Sequence, residues 1–141
     1  MKKLLIVLIS LLSFSAQTTT ASAGDNKYLF SNLEEVSSFR NWQISGWQAI
    51  DARSLIVNIS PSESYLLILD RNLRAIKFTE QIRISSTGSR VRANIDMVHV
   101  SNQYARPSRI DTIYKLPNRE ALRNARAKIL GEVIVVSGEV I

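Results

Sequence analysis

Ser54-Leu55-Ile56-Val57-Asn58-Ile59-Ser60-Pro61-Ser62-Glu63-Ser64-Tyr65-Leu66-Leu67-Ile68-Leu69 is the stretch on which the fold turns. Leu55, Val57 and Ile59 fall on one side of an extended chain, because side chains in a strand alternate with a period of two. Pro61-Ser62-Glu63 interrupts the run with turn-forming residues. Tyr65 to Leu69 then resumes it, and two β-prone runs around a Ser/Pro break predict a hairpin. The second run is apolar on both faces, so it belongs near the centre of a sheet with other structure covering it.

Upstream, Trp42 to Asp51 carries Trp42, Ile44, Trp47 and Ile50 and leads into the first run. Before it, Ser31-Asn32-Leu33-Glu34-Glu35-Val36 has the composition of a helix start, with side-chain oxygens to cap free amides and acids at the positive end, and predicts one short helical turn. Downstream, Asp70-Arg71-Asn72 closes the second run. Within Leu73 to Glu80, Leu73 and Ile76 fit a helical turn and Phe78 does not, so a loop or short helix is expected, then a strand at Gln81 to Ser85 and a turn at Ser85 to Ser89. Val91 to Val100 alternates Val91, Ala93, Ile95 and Met97 against Arg92, Asn94 and Asp96, then changes phase at Val98 and Val100. A bulge or bend in a curved sheet accounts for such a change. Ser101 to Ser108 is a loop and Ile110 to Leu116 the last core strand.

Pro117-Asn118 ends the sheet. Arg119 to Leu130 reads as a helix capped by Asn118 and stopped by Gly131, with Leu122, Ala125 and Ile129 on its apolar side. The tail, residues 132–141, is β-prone and repeats Gly-Glu-Val-Ile from 131 at 138. The expected fold is mainly β: a small curled antiparallel sheet or barrel, OB-like or SH3-like, with a core over 42–116, a C-terminal helix over 119–130 and the terminal β-prone tail.

Met1-Lys2-Lys3 and the apolar run Leu4 to Leu12, broken only by Ser10, followed by Ala21-Ser22-Ala23, have the three parts of a cleavable signal peptide. The expected cut lies between Ala23 and Gly24, leaving residues 24–141 as one β-rich domain in the periplasm or outside the cell. The run stops near Phe14, short of the roughly 20 apolar residues a spanning helix needs, so the processed chain is not expected to span a membrane. No cysteine is present for a lipid anchor, and none for a disulfide, a thiol nucleophile or a thiolate metal site. Packing and hydrogen bonds must suffice.

The order Trp47-x-x-Ile50-Asp51, Leu55-Ile56-Val57, Tyr65 to Leu69, Ile82-x-Ile84, Asp96-x-Val98 and Arg109-Ile110-x-x-Ile113-Tyr114-Lys115-Leu116 resembles a family of small exported bacterial proteins known only as a domain of unknown function. The resemblance covers roughly residues 36 to 117. It implies export and a β domain, and it carries no activity. It also implies a pair of cysteines, one in the turn near Leu73 and one just before the Arg-Ile of the last strand. This chain has Asn72 and Ser108 there, so that bridge is absent.

Little in the chain speaks for catalysis. His99 is the sole histidine, which excludes a multi-histidine zinc site; Asp96, His99 and Asp111 are the one weak metal grouping if the last two core strands pair. No serine sits in Gly-x-Ser-x-Gly, and the glycines are too scattered for a phosphate loop. Asp51, Glu63, Asp70, Glu80 and Asp96 offer carboxylate pairs of the kind any small protein has. No catalytic, cofactor-binding or metal residue is therefore assigned.

The net charge is +6 for the whole chain, smaller once Lys2 and Lys3 leave with the leader. Arginine outnumbers lysine, and its planar fork suits phosphate and carboxylate groups. Arg119, Arg123 and Arg126 share a strip of the predicted helix and are the candidate anion contacts, against the plain alternative of a solvated face. Trp42, Trp47 and Tyr65 are a candidate stacking surface, against burial in the core. Outside the cytoplasm the abundant polyanions are lipid head groups, lipopolysaccharide and acidic glycans, so no nucleic acid is expected as partner. Residues 132–141 either complete the protein's own sheet or pair with a second copy as a homodimer. The expected function is a non-enzymatic periplasmic binding or interaction module meeting an anionic envelope component or a protein; the alternatives are an enzyme of unrecognised type, which needs a pocket of convergent polar groups, and a structural envelope accessory protein.

Overall fold

The computed structural model describes residues 26–101 and 104–132. Its strands are β1 (Glu34–Val36), β2 (Ser38–Arg40), β3 (Gly46–Asp51), β4 (Ser54–Ser60), β5 (Glu63–Leu69), β6 (Ile82–Ile84), β7 (Arg90–Arg92), β8 (Met97–Val100) and β9 (Ser108–Leu116), followed by helix α1 (Arg119–Leu130). β4 and β5 form the expected hairpin, with Leu55 opposite Leu67 and Val57 opposite Tyr65. The main sheet runs β3-β4-β5-β9-β8-β6, every neighbour antiparallel, and β1 adds to the far part of β9. β2 and β7 make a separate ribbon. The result is mainly β, a curled antiparallel half-barrel with one C-terminal helix.

The alternation of β4 and β5 sorts their side chains onto two faces. Leu55, Val57, Tyr65, Leu67 and Leu69 join Phe39, Val91, Val98, Ile110 and Ile113 on one face, where Leu73 and Ile76 also pack. Ile56, Leu66 and Ile68 point the other way, with Tyr114 and Leu116, beneath Tyr28, Phe30, Ala125 and Ile129. A strand apolar on both sides is thus covered on both sides, as β5 requires. Buried residues also come from outside the expected 42–116 core: Tyr28, Phe30 and Phe39 before it, and Ala125, Ala127 and Ile129 after it.

Two expectations need revision. Glu34–Val36 is a strand, not a helical turn, because β9 offers an open edge to pair with and the pairing outweighs a local capping signal. The phase change in 91–100 is a turn between two strands. Asn94 takes a left-handed φ of 64° there, a conformation asparagine tolerates better than most residues. Asp96, 3% exposed, holds the turn by accepting the Arg92 N–H at 2.8 Å and the Ser85 hydroxyl at 2.8 Å. Register shifts lie elsewhere, between Ala49 and Asp51, between Asn58 and Ser60, and in β9, where the register steps from Ile68–Thr112 to Leu69–Ile110 and skips Asp111. That one extra residue lets Ile110 and Ile113, three apart, reach the same face.

Asn118 caps α1 through its side-chain oxygen, 2.8 Å from the Ala121 N–H, and Gly131 ends it at a φ of 69°. At the start of β9 the buried Ser108 hydroxyl is shared between Asp70 Oδ1 (2.9 Å) and the Arg71 carbonyl (3.0 Å). Ser108 therefore fastens β9 to the turn at Asp70 and Arg71, which leads into Asn72. The leader and cut of residues 1–23 lie outside the described residues, as does the tail from 133 on.

Candidate functional site

The strand register gives the half-barrel two distinct ends. Ser64 pairs with Leu116 and Asn58 with Gly46 at one end, while Ser54 pairs with Ile68 and Leu69 with Ile110 toward the other. The first end carries the β4–β5 turn and the start of α1. A groove of about 450 Å³ lies between them. Its floor is Ile59, Pro61, Leu116 and Leu122, and its polar lining is Ser45, Asn58, Ser60, Ser62, Ser64, Asn118 and Arg119, with no acid among these residues.

The local structure explains this lining. Ser60, Ser62 and Ser64 flank the turn that Pro61 enforces, with the Ser60 and Ser62 hydroxyls 3.4 Å apart. Ser64 donates to Asn58 Oδ1 at 2.9 Å, and Ser45 to the Asn58 carbonyl at 3.2 Å. Each hydroxyl keeps acceptor capacity beyond these bonds. Arg119 is exposed at the first helical position, Arg123 is exposed one turn on, and Arg126 is half-buried. Among the described residues none of the three guanidinium groups makes an ion pair or side-chain hydrogen bond. Only Arg119 lines the groove.

Trp42, Trp47 and Tyr65 take three different places. Trp42 is 63% exposed on a short 3-10 turn over Asn41–Gln43; Trp47 is half-buried on β3 against the first core face; Tyr65 is 8% exposed, its ring stacked on Phe39 with centroids 4.7 Å apart. The Tyr65 hydroxyl donates to Glu63 Oε1 at 2.5 Å, at the rim of a smaller cavity of about 200 Å³ that also holds Arg40 and Arg90. Burial, reinforced by that bond to Glu63, pushes the Tyr65 hydroxyl up to about 12. It stays protonated near neutrality and donates rather than accepts. Arg90 is itself held by Ser38, donating from Nε to the hydroxyl at 2.8 Å.

At the opposite end Asp51 collects four donors: the Arg53 N–H (2.9 Å) and the Ser54 hydroxyl (2.7 Å) on one oxygen, the Tyr28 hydroxyl (2.7 Å) and Lys27 Nζ (3.0 Å) on the other. Lys27 and Arg53 both stand over the Tyr28 ring, at 4.9 and 5.1 Å from its centroid. This is a structural knot rather than an open site. β8 and β9 do pair, yet Asp96 spends both oxygens on Ser85 and Arg92, and no metal-binding group of His, Asp and Glu forms among the described residues. Nor is any helix among them long and apolar enough to cross a membrane.

Sequence reasoning reached Arg119 through the helix period but missed the groove beside it. The serines at 60, 62 and 64 were visible only as a turn; what gathers them is the chain reversal between β4 and β5, which sets Ser64 back beside Asn58. Comparison with known proteins found no matching curated protein and no matching solved structure. A family model described as a family of unknown function, DUF6491, matches residues 1–131.

Proposed function

Since the chain belongs to the DUF6491 family of unknown function, which brings no activity with it, we propose from its own surface that it is a non-enzymatic binding module of the cell envelope. In this reading the segment 1–23 directs export, and the groove at the start of α1 takes an acidic glycan. The observation that carries the reading is the lining itself: hydroxyls and amides from Ser45, Asn58, Ser60, Ser62, Ser64 and Asn118, one exposed arginine, and no carboxylate. Hydroxyls and amides both donate and accept, as a sugar's own hydroxyls require. Pro61 and Leu122 give the C–H faces of a ring somewhere to rest. Arg119 supplies a fork for a carboxylate or sulfate, and Arg123 extends the charge along the helix.

Two features support binding over catalysis. The Tyr65 hydroxyl is too weak an acid to serve as a base partner near neutrality, and both Asp51 oxygens are occupied by donors of the fold. The test is retention on an immobilised acidic glycan compared with a neutral one. Retention should fall with added salt, and Arg119→Gln with Arg123→Gln and Arg126→Gln should weaken it about tenfold or more, since hydrogen bonds to charged groups contribute roughly 1.5–3 kcal/mol each. Equal retention on neutral and acidic glycans, or full retention by the triple variant, would remove the reading.

A further inference from the structure

We propose that the end of the half-barrel opposite the groove docks on an anionic lipid bilayer, with Phe78 and Tyr104 entering the interface and Arg71, Arg74, Lys77 and Arg106 meeting the phosphate head groups. The case starts from the 3-10 helix Arg74–Phe78. Three residues per turn stack side chains in rows three apart. Leu73 and Ile76 form the buried row, Arg74 and Lys77 an exposed cationic row, and Ala75 and Phe78 the third. Ala75 lines a concavity of about 420 Å³ whose other wall is Tyr104, Ala105 and Arg106, with Arg71 and Arg74 beside it. The helical turn and the loop before β9 thus present one surface.

Its composition is unusual for a surface meant only for water. Phe78 is 87% exposed and Tyr104 85%, and rings so placed gain nothing from the core. Arg71, Arg74 and Arg106 line the concavity with Tyr104, Lys77 precedes Phe78 in the helical turn, and no acid lines the concavity. Asp70, the nearest carboxylate in sequence, is taken up by the Ser108 hydroxyl, the Arg109 N–H at 3.1 Å and the Arg109 guanidinium at 3.7 Å. Glu80 lines a neighbouring groove against Trp47 on β3, and Lys77, which borders that groove too, joins the docking surface through the exposed row it shares with Arg74. Aromatic rings flanked by arginine and lysine suit the boundary of a bilayer, where rings sit at head-group depth and long cationic stems reach anionic phosphates. A bilayer also accepts two separate projecting rings without needing a shaped counterpart.

This surface is distinct from the groove, so the two are tested apart. The probe is co-sedimentation of the protein with vesicles of phosphatidylcholine containing a minority of phosphatidylglycerol, against phosphatidylcholine alone. All variants share one amino terminus, so whatever residues 1–23 contribute is common to them. Binding should favour the anionic vesicles and weaken with salt. Arg74→Gln with Lys77→Gln and Arg106→Gln should lower partitioning about a hundredfold, each cation near an anionic surface giving roughly a fivefold effect. Phe78→Ser with Tyr104→Ser, which changes no charge, should lower it as well, with melting temperature unchanged in both variants. Arg119→Gln with Arg123→Gln and Arg126→Gln should bind vesicles like the parent. No preference for anionic vesicles, parental binding by either end variant, or a loss produced by the α1 variant would overturn this inference. Retention on acidic glycan in those same variants would show that the groove reading stands without it.

Discussion

Asp51 shows at the scale of one residue how this fold holds charge. Burial works against its carboxylate, but the bonds from Ser54, Tyr28, the Arg53 N–H and Lys27 outweigh that and hold the carboxyl below its ordinary value of 3.8. The same bond raises Lys27, and Tyr28 is raised first by burial and then by its bond to Asp51. A carboxyl depressed in the folded state adds stability that is complete above its unfolded value and disappears as pH falls through the folded one. Asp51→Ala is therefore expected to cost roughly 2–3 kcal/mol at neutral pH, the scale of a multiply bonded charge. Urea unfolding in strong acid should show most of that penalty gone; an undiminished penalty would assign the loss to packing. Nothing in the sequence announced this knot, because Lys27 and Tyr28 lie more than twenty residues upstream and carry no pattern that points to Asp51. Tyr65 was legible as an aromatic beside charge, but its ring turned inward onto Phe39, as β5 alternation dictates once Leu67 and Leu69 face that core.

Among the elements, α1 was the most legible, since its cap, apolar side and stop are all local signals. Asn118→Ala should cost about 1 kcal/mol by freeing the Ala121 N–H, read as a lowered midpoint of thermal or urea unfolding. An unchanged midpoint would mean that water replaces the cap without loss. The β4–β5 hairpin was equally plain, because a period of two and a Ser/Pro break agree with each other. β1 was not: Ser31, Asn32, Glu34 and Glu35 carry helix-start chemistry, and only the edge of β9, some eighty residues away, makes them a strand. The Asp111 bulge was invisible for a related reason. Ile110 and Ile113 look out of phase for a strand until β5 fixes the register on either side of them.

The whole molecule is a sheet with two greasy faces, each roofed by something distant in sequence. One roof is the β2–β7 ribbon with Leu73 and Ile76; the other is α1 with Tyr28 and Phe30. A chain ending at Pro117 would strip α1 from Ile56, Leu66, Ile68, Tyr114 and Leu116 and leave only Tyr28, Phe30 and Leu33 to cover them. Each such side chain is worth roughly 1.5–3 kcal/mol when fully buried, so uncovering even part of this face takes a large share of the 5–15 kcal/mol or so that holds a typical domain together. That truncation is expected to abolish the cooperative melting transition and yield aggregating material; a soluble, cooperatively melting product would show that the helix is dispensable. The sheet and its helix could be read from the sequence; which surfaces face outward depended on the closing of loops.

Ser108 has a consequence of another kind. Its hydroxyl clasps the turn at Asp70 and Arg71 without any covalent link. Such a clasp needs no oxidant to set it, and no reductant can cut it. The junction of β5 and β9 is thereby indifferent to glutathione, and a chain shaken loose can refasten itself there unaided.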